Sequence, residues 1–262
     1  MFFKKTEKKK EPKPKETLSE AILGIASVLV SGLFIITFII QAFEIPSKSM
    51  EKTLLVGDHV FVDRLTAAPP AHYLFLDHLL PYRPIHRGEV AVFISPAQSD
   101  LHLVKRIIGV PGDRIHLENG VLYVNGVRQN EPYVYHLPPE LVAPTNTDYR
   151  DNFPRASSYG ANTTSEWPMI MQMHLDHGDL VVPEKSYFAM GDSRENSWDS
   201  RYFGFISEDR FIGRPLFIYW SFDTPEEQYN RTAWSDRIKF VFHVIIHFFD
   251  KTRWSRMFHP VR

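Results

Sequence analysis

Between Glu20 and Glu44 the chain carries 23 consecutive residues without a charge, AILGIASVLVSGLFIITFIIQAF. As a helix rising ~1.5 Å per residue, Ala21 to Phe43 is roughly 34 Å long, enough to cross a hydrocarbon core of about 30 Å. A cleaved secretory signal has a hydrophobic region of roughly 7–15 residues followed by a small-residue cleavage site. Here the run is longer and leads into Phe43-Glu44-Ile45-Pro46. A helix buried in a soluble core seldom lacks a polar stripe over such a length. The run is therefore expected to be a single uncleaved membrane span. Residues 1–16 hold seven lysines against three glutamates, a net of +4. Basic residues favour the cytoplasmic side, so the N-terminus is expected in the cytoplasm and everything from about residue 44 outside it.

Charge and cysteine usage narrow the chemistry of the exported part. The 246 residues after the basic tail keep 23 basic and 28 acidic side chains, a mildly acidic body that argues against nucleic acid as a partner. Without cysteine there is no disulfide scaffold, no thiolate zinc site and no cysteine nucleophile. From Val56 onward short apolar runs alternate with turn residues, which predicts strands at 60–62, 89–94, 101–108, 114–117, 121–124, 187–190 and 216–220. Val121–Val124 lies between Asn119-Gly120 and Asn125-Gly126, a hairpin signal. The chain from about 130 to 167 is rich in Pro, Ser and Asn, and 130–182 reads as an inserted smaller subdomain or a surface excursion. Ile238–Phe249 is too short to span a bilayer. As a helix it gathers Asp236, Lys239, His243, His247 and Asp250 on one stripe, which suits a helix in the bilayer interface or one docked on the body. His243 and His247 sit at i, i+4 but lack an HExxH pattern or an evident third ligand, so a polar face is the expectation and no metal or other cofactor is called for.

Directly after the apolar run comes Ile45-Pro46-Ser47-Lys48-Ser49-Met50-Glu51-Lys52-Thr53-Leu54. Lys105 lies within a predicted buried strand, where desolvation disfavours an ammonium. A lysine that is neutral at physiological pH is a general base, and a serine needs one to become a nucleophile. The twelve histidines are scattered without a Ser/Asp motif, so a histidine triad has no support. Gly191 to Gly204 (GDSRENSWDSRYFG) is dense in small hydrogen-bonding side chains with alternating acids and arginines, a loop pinned by ion pairs.

In this order, IPSKSMEKTL at 45–54, GDHVFVDR at 57–64, VKRIIGVPGD at 104–113 and GDSRENSWDSRYFG at 191–204 resemble the bacterial type I signal peptidases (leader peptidases), Ser/Lys serine proteases of the inner membrane. The resemblance covers the anchor and most of the body and is weakest over 130–182. It implies a mainly β, signal-peptidase-like body with one N-terminal transmembrane helix and a C-terminal amphipathic helix. The segments would be a basic cytoplasmic tail 1–20, the span 21–43, a catalytic β-domain at 44–129 and 183–225 around the insertion 130–182, and an amphipathic tail 226–262. It implies Ser49 as nucleophile, Lys105 as its base, and the Ser49 N–H with the Ser47 hydroxyl as oxyanion hole. Ser197 would hydrogen-bond and aim the lysine, while Asp199 with Arg201, and Asp192 with Arg106, would hold that loop. Phe43, Ile45, Pro46, Met50, Leu54, Leu103 and Val104 would line shallow apolar pockets for an A-x-A end. The implied partners are signal-peptide-bearing pre-proteins and the lipid bilayer, with the chain acting as a monomer on the extracytoplasmic face of a bacterial inner membrane. Two positions depart from the family pattern: Lys48 between the motif serines, often glycine, and Lys52 where a proline is often found. A soluble Ser/Lys self-cleaving repressor is disfavoured by the apolar span. A catalytically inactive tethered binding protein of the same fold would be expected to have lost Ser49 or Lys105.

Overall fold

The computed structural model describes residues 17–66, 83–142, 147–155, 159–160, 162–231 and 233–262 of the 262-residue chain. The basic tail expected at 1–16 lies outside the described residues. The chain enters through α1 (Leu18–Phe34), capped by Thr17, whose hydroxyl accepts from the Glu20 N–H while the Glu20 carboxylate accepts from the Thr17 N–H. A π-helical turn (Ile35–Ile39) follows, and then β1 (Ile40–Glu44). The helix expected over 21–43 therefore ends at Ile39, because Ile40–Glu44 form a five-residue antiparallel ladder with β2 (Asp58–Asp63). Among the described residues no helix is by itself long and apolar enough to cross a membrane.

Among the described residues two antiparallel sheets make up the body. The larger has seven strands in the order β1, β2, β12 (Phe211–Ser221), β3 (Val90–Ile94), β4 (His102–Gly109), β10 (Ser186–Met190), β11 (Ile206–Ser207). The smaller has five, in the order β7 (Val127–Arg128), β6 (Val121–Val124), β5 (Arg114–Glu118), β9 (Asp179–Val181), β8 (Leu175–Asp176). The long β12 serves two neighbours: its first residues pair with β3 and its later ones with β2, with register shifts near Pro215, which has no N–H to give a ladder. The stretch 130–182 supplies short helices α2 (Thr147–Asp151) and α3 (Trp167–Met173), together with β8 and β9, and β9 pairs with β5.

One apolar cluster, with Ile115, Leu122, Tyr149, Phe153 and Trp167, lies under the smaller sheet. A second, with Phe93, Ile107, Phe203 and Phe211, backs the middle of the larger one. The third, with Ile45, Met50, Leu54, Val60, Val62, Val92 and Ile218, clamps the turn that follows β1. After β12 the chain forms α5 (Trp234–Ile246), breaks at His247 and continues in α6 (Phe248–Lys251). The tail then runs back along β12, where Phe258 N–H donates to the Ile218 carbonyl and Val261 N–H to that of Leu216.

Candidate active site

Ser49 is the middle residue of a single 3-10 turn, Lys48–Met50, entered from the extended Ser47. Met50 and Leu54 are fully buried, and the Thr53 and Leu54 N–H groups both donate to the Met50 carbonyl. At the turn's base, Ile45 and the 57–58 backbone exchange hydrogen bonds of 2.9 Å, and the buried Asp58 carboxylate accepts from the Leu55 N–H and the Ser221 hydroxyl. The serine thus stands on a turn fixed from below by apolar contact and from the side by backbone bonds.

Strand β4 supplies the neighbouring cation. From Lys105 to Gly109 every residue of β4 is buried, so the strand is enclosed on both faces. Successive strand side chains point to opposite faces, which sends Lys105 and Arg106 to different partners. Lys105, 3% exposed, donates from Nζ to Ser49 Oγ at 2.6 Å, across 56 residues of sequence. Ser47 Oγ lies 3.3 Å from Ser49 Oγ. Burial pulls the Lys105 amine down from its ordinary 10.5 to about 8. The carboxylates of Asp199 and Asp192 oppose that fall and Arg201 adds to it. A value of about 8 lies well below that of an exposed lysine yet above neutrality, so the expectation of an amine that spends most of its time neutral at physiological pH is not met.

Arg106 turns the other way and makes a two-pronged pair with Asp192, Nε to Oδ1 at 2.8 Å and Nη2 to Oδ2 at 2.7 Å. Its Nη2 also donates to Thr53 Oγ1 at 3.2 Å, and that hydroxyl donates to Asp192, so the pair grips the end of the serine turn. Asp199 and Arg201 form a second pair with no exposed surface, again two-pronged at 2.9 and 2.8 Å. Burial alone would raise the Asp199 carboxyl, but the Arg201 charge and hydrogen bonds and the Gly191 N–H hold it below the usual range. The same balance, reversed in sign, holds the Arg201 guanidinium above its ordinary value. Asp199 also caps α4 (Ser200–Phe203).

Ser197 is placed differently from the sequence expectation. No hydrogen bond joins its buried hydroxyl to Lys105, so the expected bond to the lysine is absent; the hydroxyl helps to lower the Asp199 carboxyl. The side chain instead fills the space over Gly191, where a Cβ would come within 2.3 Å of Ser197 Oγ and 2.5 Å of the Ser49 carbonyl oxygen. Gly191 is thereby the thin point at which the 191–204 loop meets the serine turn, and Ser193 N–H closes the junction on the Ser49 carbonyl at 3.1 Å.

Of the residues expected around the substrate, Phe43, Leu103 and Val104 are partly buried at the rim and Pro46 is exposed. Ile45, Met50 and Leu54 belong to the core beneath. The sequence reading missed the buttress formed by 131–137. Glu131 pairs with Arg194, the Tyr133 ring lies 3.9 Å from the Arg106 guanidinium carbon, Tyr135 N–H donates to the Asp192 carbonyl, and Lys52 Nζ donates to the Pro132 carbonyl. These partners are 27 to 80 residues apart in sequence, and no local pattern announces them. Among the described residues no group of three or more His, Asp or Glu side chains is placed to hold a metal ion.

This serine and lysine, and the two arginine–carboxylate pairs behind them, fall within residues 18–220, which match the family described as signal peptidase, peptidase S26. The chain belongs to the type I signal peptidases of that family. Signal peptidase IB of Staphylococcus aureus strain Mu50 is 30% identical over 218 residues, covering 82% of this chain and 96% of that protein. A probable signal peptidase I-2 of Synechocystis is 29% identical over 225 residues, covering 84% of this chain and 81% of its own length. A solved signal peptidase I from Enterococcus faecalis V583 aligns at 28% identity and a TM-score of 0.35, covering 50% of this chain and 97% of that one. The matched region stops at Trp220, so the α5 segment of this signal peptidase lies beyond it.

Proposed function

We propose that the enzyme removes signal peptides from exported pre-proteins with Ser49 as nucleophile and Lys105 as general base. The observation that carries this reading is the 2.6 Å bond from a buried lysine, with its pKa near 8, to the serine hydroxyl. In the acylation step the unprotonated Lys105 amine accepts the Ser49 proton as Oγ bonds to the scissile carbonyl carbon. The resulting ammonium gives that proton to the leaving amine as the C–N bond breaks. A water molecule then loses a proton to Lys105 and attacks the acyl carbon; the Lys105 ammonium returns that proton to the departing Ser49 oxygen, and the severed signal peptide leaves with a new C-terminal carboxylate.

Oxyanion stabilisation falls to the Ser49 N–H and the Ser47 hydroxyl. The first N–H groups of a helical turn have no partner within it, which leaves the Ser49 amide open to a developing charge. The substrate backbone is assigned to the open side of β4. Ser95 N–H donates to the Leu101 carbonyl and Ile107 N–H to that of Glu89, so odd-numbered residues face β3. His102 and Val104 point their backbone groups the other way, and β10 pairs with β4 only from Arg106 onward. An extended peptide added there gains backbone hydrogen bonds, while Phe43, Leu103 and Val104 leave room for small side chains next to the scissile bond.

The helical backbone from Leu18 to Ile39, roughly 30 Å long, is assigned as the membrane anchor. No residue of α1 is buried, and no charge interrupts it between Glu20 and Glu44. The anchor puts the catalytic body outside the cytoplasmic face of a bacterial inner membrane. The test is Ser49→Ala and Lys105→Ala against a purified pre-protein in detergent, with the new N-terminus read by mass spectrometry. Both variants are expected to stay folded and to lose processing by 10³-fold or more; substantial turnover by either one contradicts the dyad.

A further inference from the structure

The helix after the matched region is docked on the body by its less apolar side. Asp236, Phe240, His243, Val244 and His247 of α5 and the residue after it are the partly buried ones. The rings of Phe240 and His243 meet the buried Phe222 edge-on, at 6.4 and 6.1 Å. The opposite face carries Trp234, Ile238, Phe242, Ile245 and, past the break, Phe249, all exposed, from 55% at Ile238 to 80% at Phe249. A helix that covers a soluble body does the reverse, hiding its apolar stripe and showing its polar one. Exposed side chains of this size, aligned on one stripe, exceed the scatter of single apolar residues on ordinary surfaces.

We propose that α5 is a membrane-docking helix that lies in the plane of an anionic bilayer surface, a second lipid contact besides the anchor. This rests on the reading of a membrane-held peptidase and extends it. Three observations select lipid as the occupant. Trp234 and Trp254 bracket the stripe, as amphipathic aromatic rings do at a membrane interface. Exposed Arg237 and Lys239 border it with cations suited to lipid phosphates. The segment leading into α5 is tied to the foot of the anchor: Tyr229 donates to Glu44, the last residue of β1, and Glu226 pairs at 3.6 Å with Lys48 beside the nucleophile. Insertion of the stripe holds the Ser49 turn at a fixed height above the lipid, where the end of a membrane-inserted signal peptide emerges.

The chain has no cysteine, so a single spin label can be placed anywhere without background. The full chain carrying Ile245→Cys, or Val127→Cys on the exposed edge of the smaller sheet, is labelled and reconstituted in phosphatidylethanolamine–phosphatidylglycerol vesicles. Collisions with oxygen and with a water-soluble nickel chelate are then compared. The label at 245 is expected to favour oxygen several-fold over the label at 127. Equal chelate access at both positions overturns the proposal, and so does shielding at 245 that vanishes on dilution with lipid, which marks contact between copies of the chain. A Phe242→Glu, Ile245→Glu double variant is expected to process a pre-protein several-fold more slowly in vesicles and to cleave a short soluble peptide in detergent at the unaltered rate; equal rates in vesicles speak against docking. Failure of the unsubstituted enzyme to cleave either substrate would strike the peptidase reading, and the label depths decide the helix separately.

Discussion

Lys105 is a charge the fold would be more stable without. Its folded value of about 8 lies below the 10.5 of an exposed lysine, so between these two the unfolded chain binds more protons than the native one. Native stability therefore rises with pH across that window. Below about pH 8 the full cost remains, roughly 3 kcal/mol from the size of the shift. Lys105→Met keeps an unbranched apolar stem and drops the amine. It is expected to be inactive and, at pH 7, more stable in denaturant by a few kcal/mol, with the advantage shrinking as pH approaches 10.5. A variant less stable than the parent at pH 7 would show that the amine is not held at a cost. The candidacy of Lys105 was legible in the sequence because a lysine stood within a run of buried strand residues. Its pairing with Ser49 was legible only through the family resemblance, since 56 residues separate them. The sequence also missed how far Asp199 and Asp192 keep the amine protonated, because their distance from it is a property of the fold.

Secondary-structure elements vary in how openly the sequence declares them. The β6 hairpin was plain: Asn119-Gly120 and Asn125-Gly126 all take positive φ, as tight turns that follow the strand twist require. Strands β3, β4, β5 and β10 lie where β-branched and aromatic runs predicted them. Strand β1 was hidden because Ile40–Phe43 extends the same uncharged run as α1, and apolarity does not distinguish lipid from a sheet edge. Three-residue β9 carries too little pattern to be read alone, and becomes a strand by pairing with β5. The 191–204 loop was readable as ion-paired, yet the reason for Gly191 appears only where the Ser49 carbonyl and the Ser197 side chain occupy the space of a Cβ. Gly191→Ala must push the serine turn away, and displacements of ~1 Å at a reacting group cost about 10²-fold. The expected result is a kcat lowered by that order with KM changed little; a kcat close to the parent would show that the junction does not position Ser49.

At the scale of the molecule, the enzyme is a two-sheet body whose Ser49 turn follows the N-terminal apolar helical run after one five-residue strand. On the proposed reading that proximity ties catalysis to the bilayer, because β1 is both the end of the apolar run and an edge of the larger sheet. The stretch 131–137 closes the other side, bringing Lys52, Arg106 and Arg194 onto one segment. Two arginines at the centre of the proposed anchor, Leu29→Arg with Val30→Arg, each cost about 2.5–3.5 kcal/mol of insertion. The double variant is expected to appear in the supernatant after alkaline carbonate extraction while the parent stays with the membranes. Retention equal to the parent would remove α1 from its role as a span.

The central claim is that the lysine beside Ser49 gives up its proton near neutrality. Carbon-13 NMR of the full enzyme labelled at lysine Cε, with the Lys105 signal assigned by its loss in Lys105→Met, follows that proton directly. The account predicts a titration midpoint of about 8 for this signal. A midpoint at the 10.5 of an ordinary lysine would contradict it.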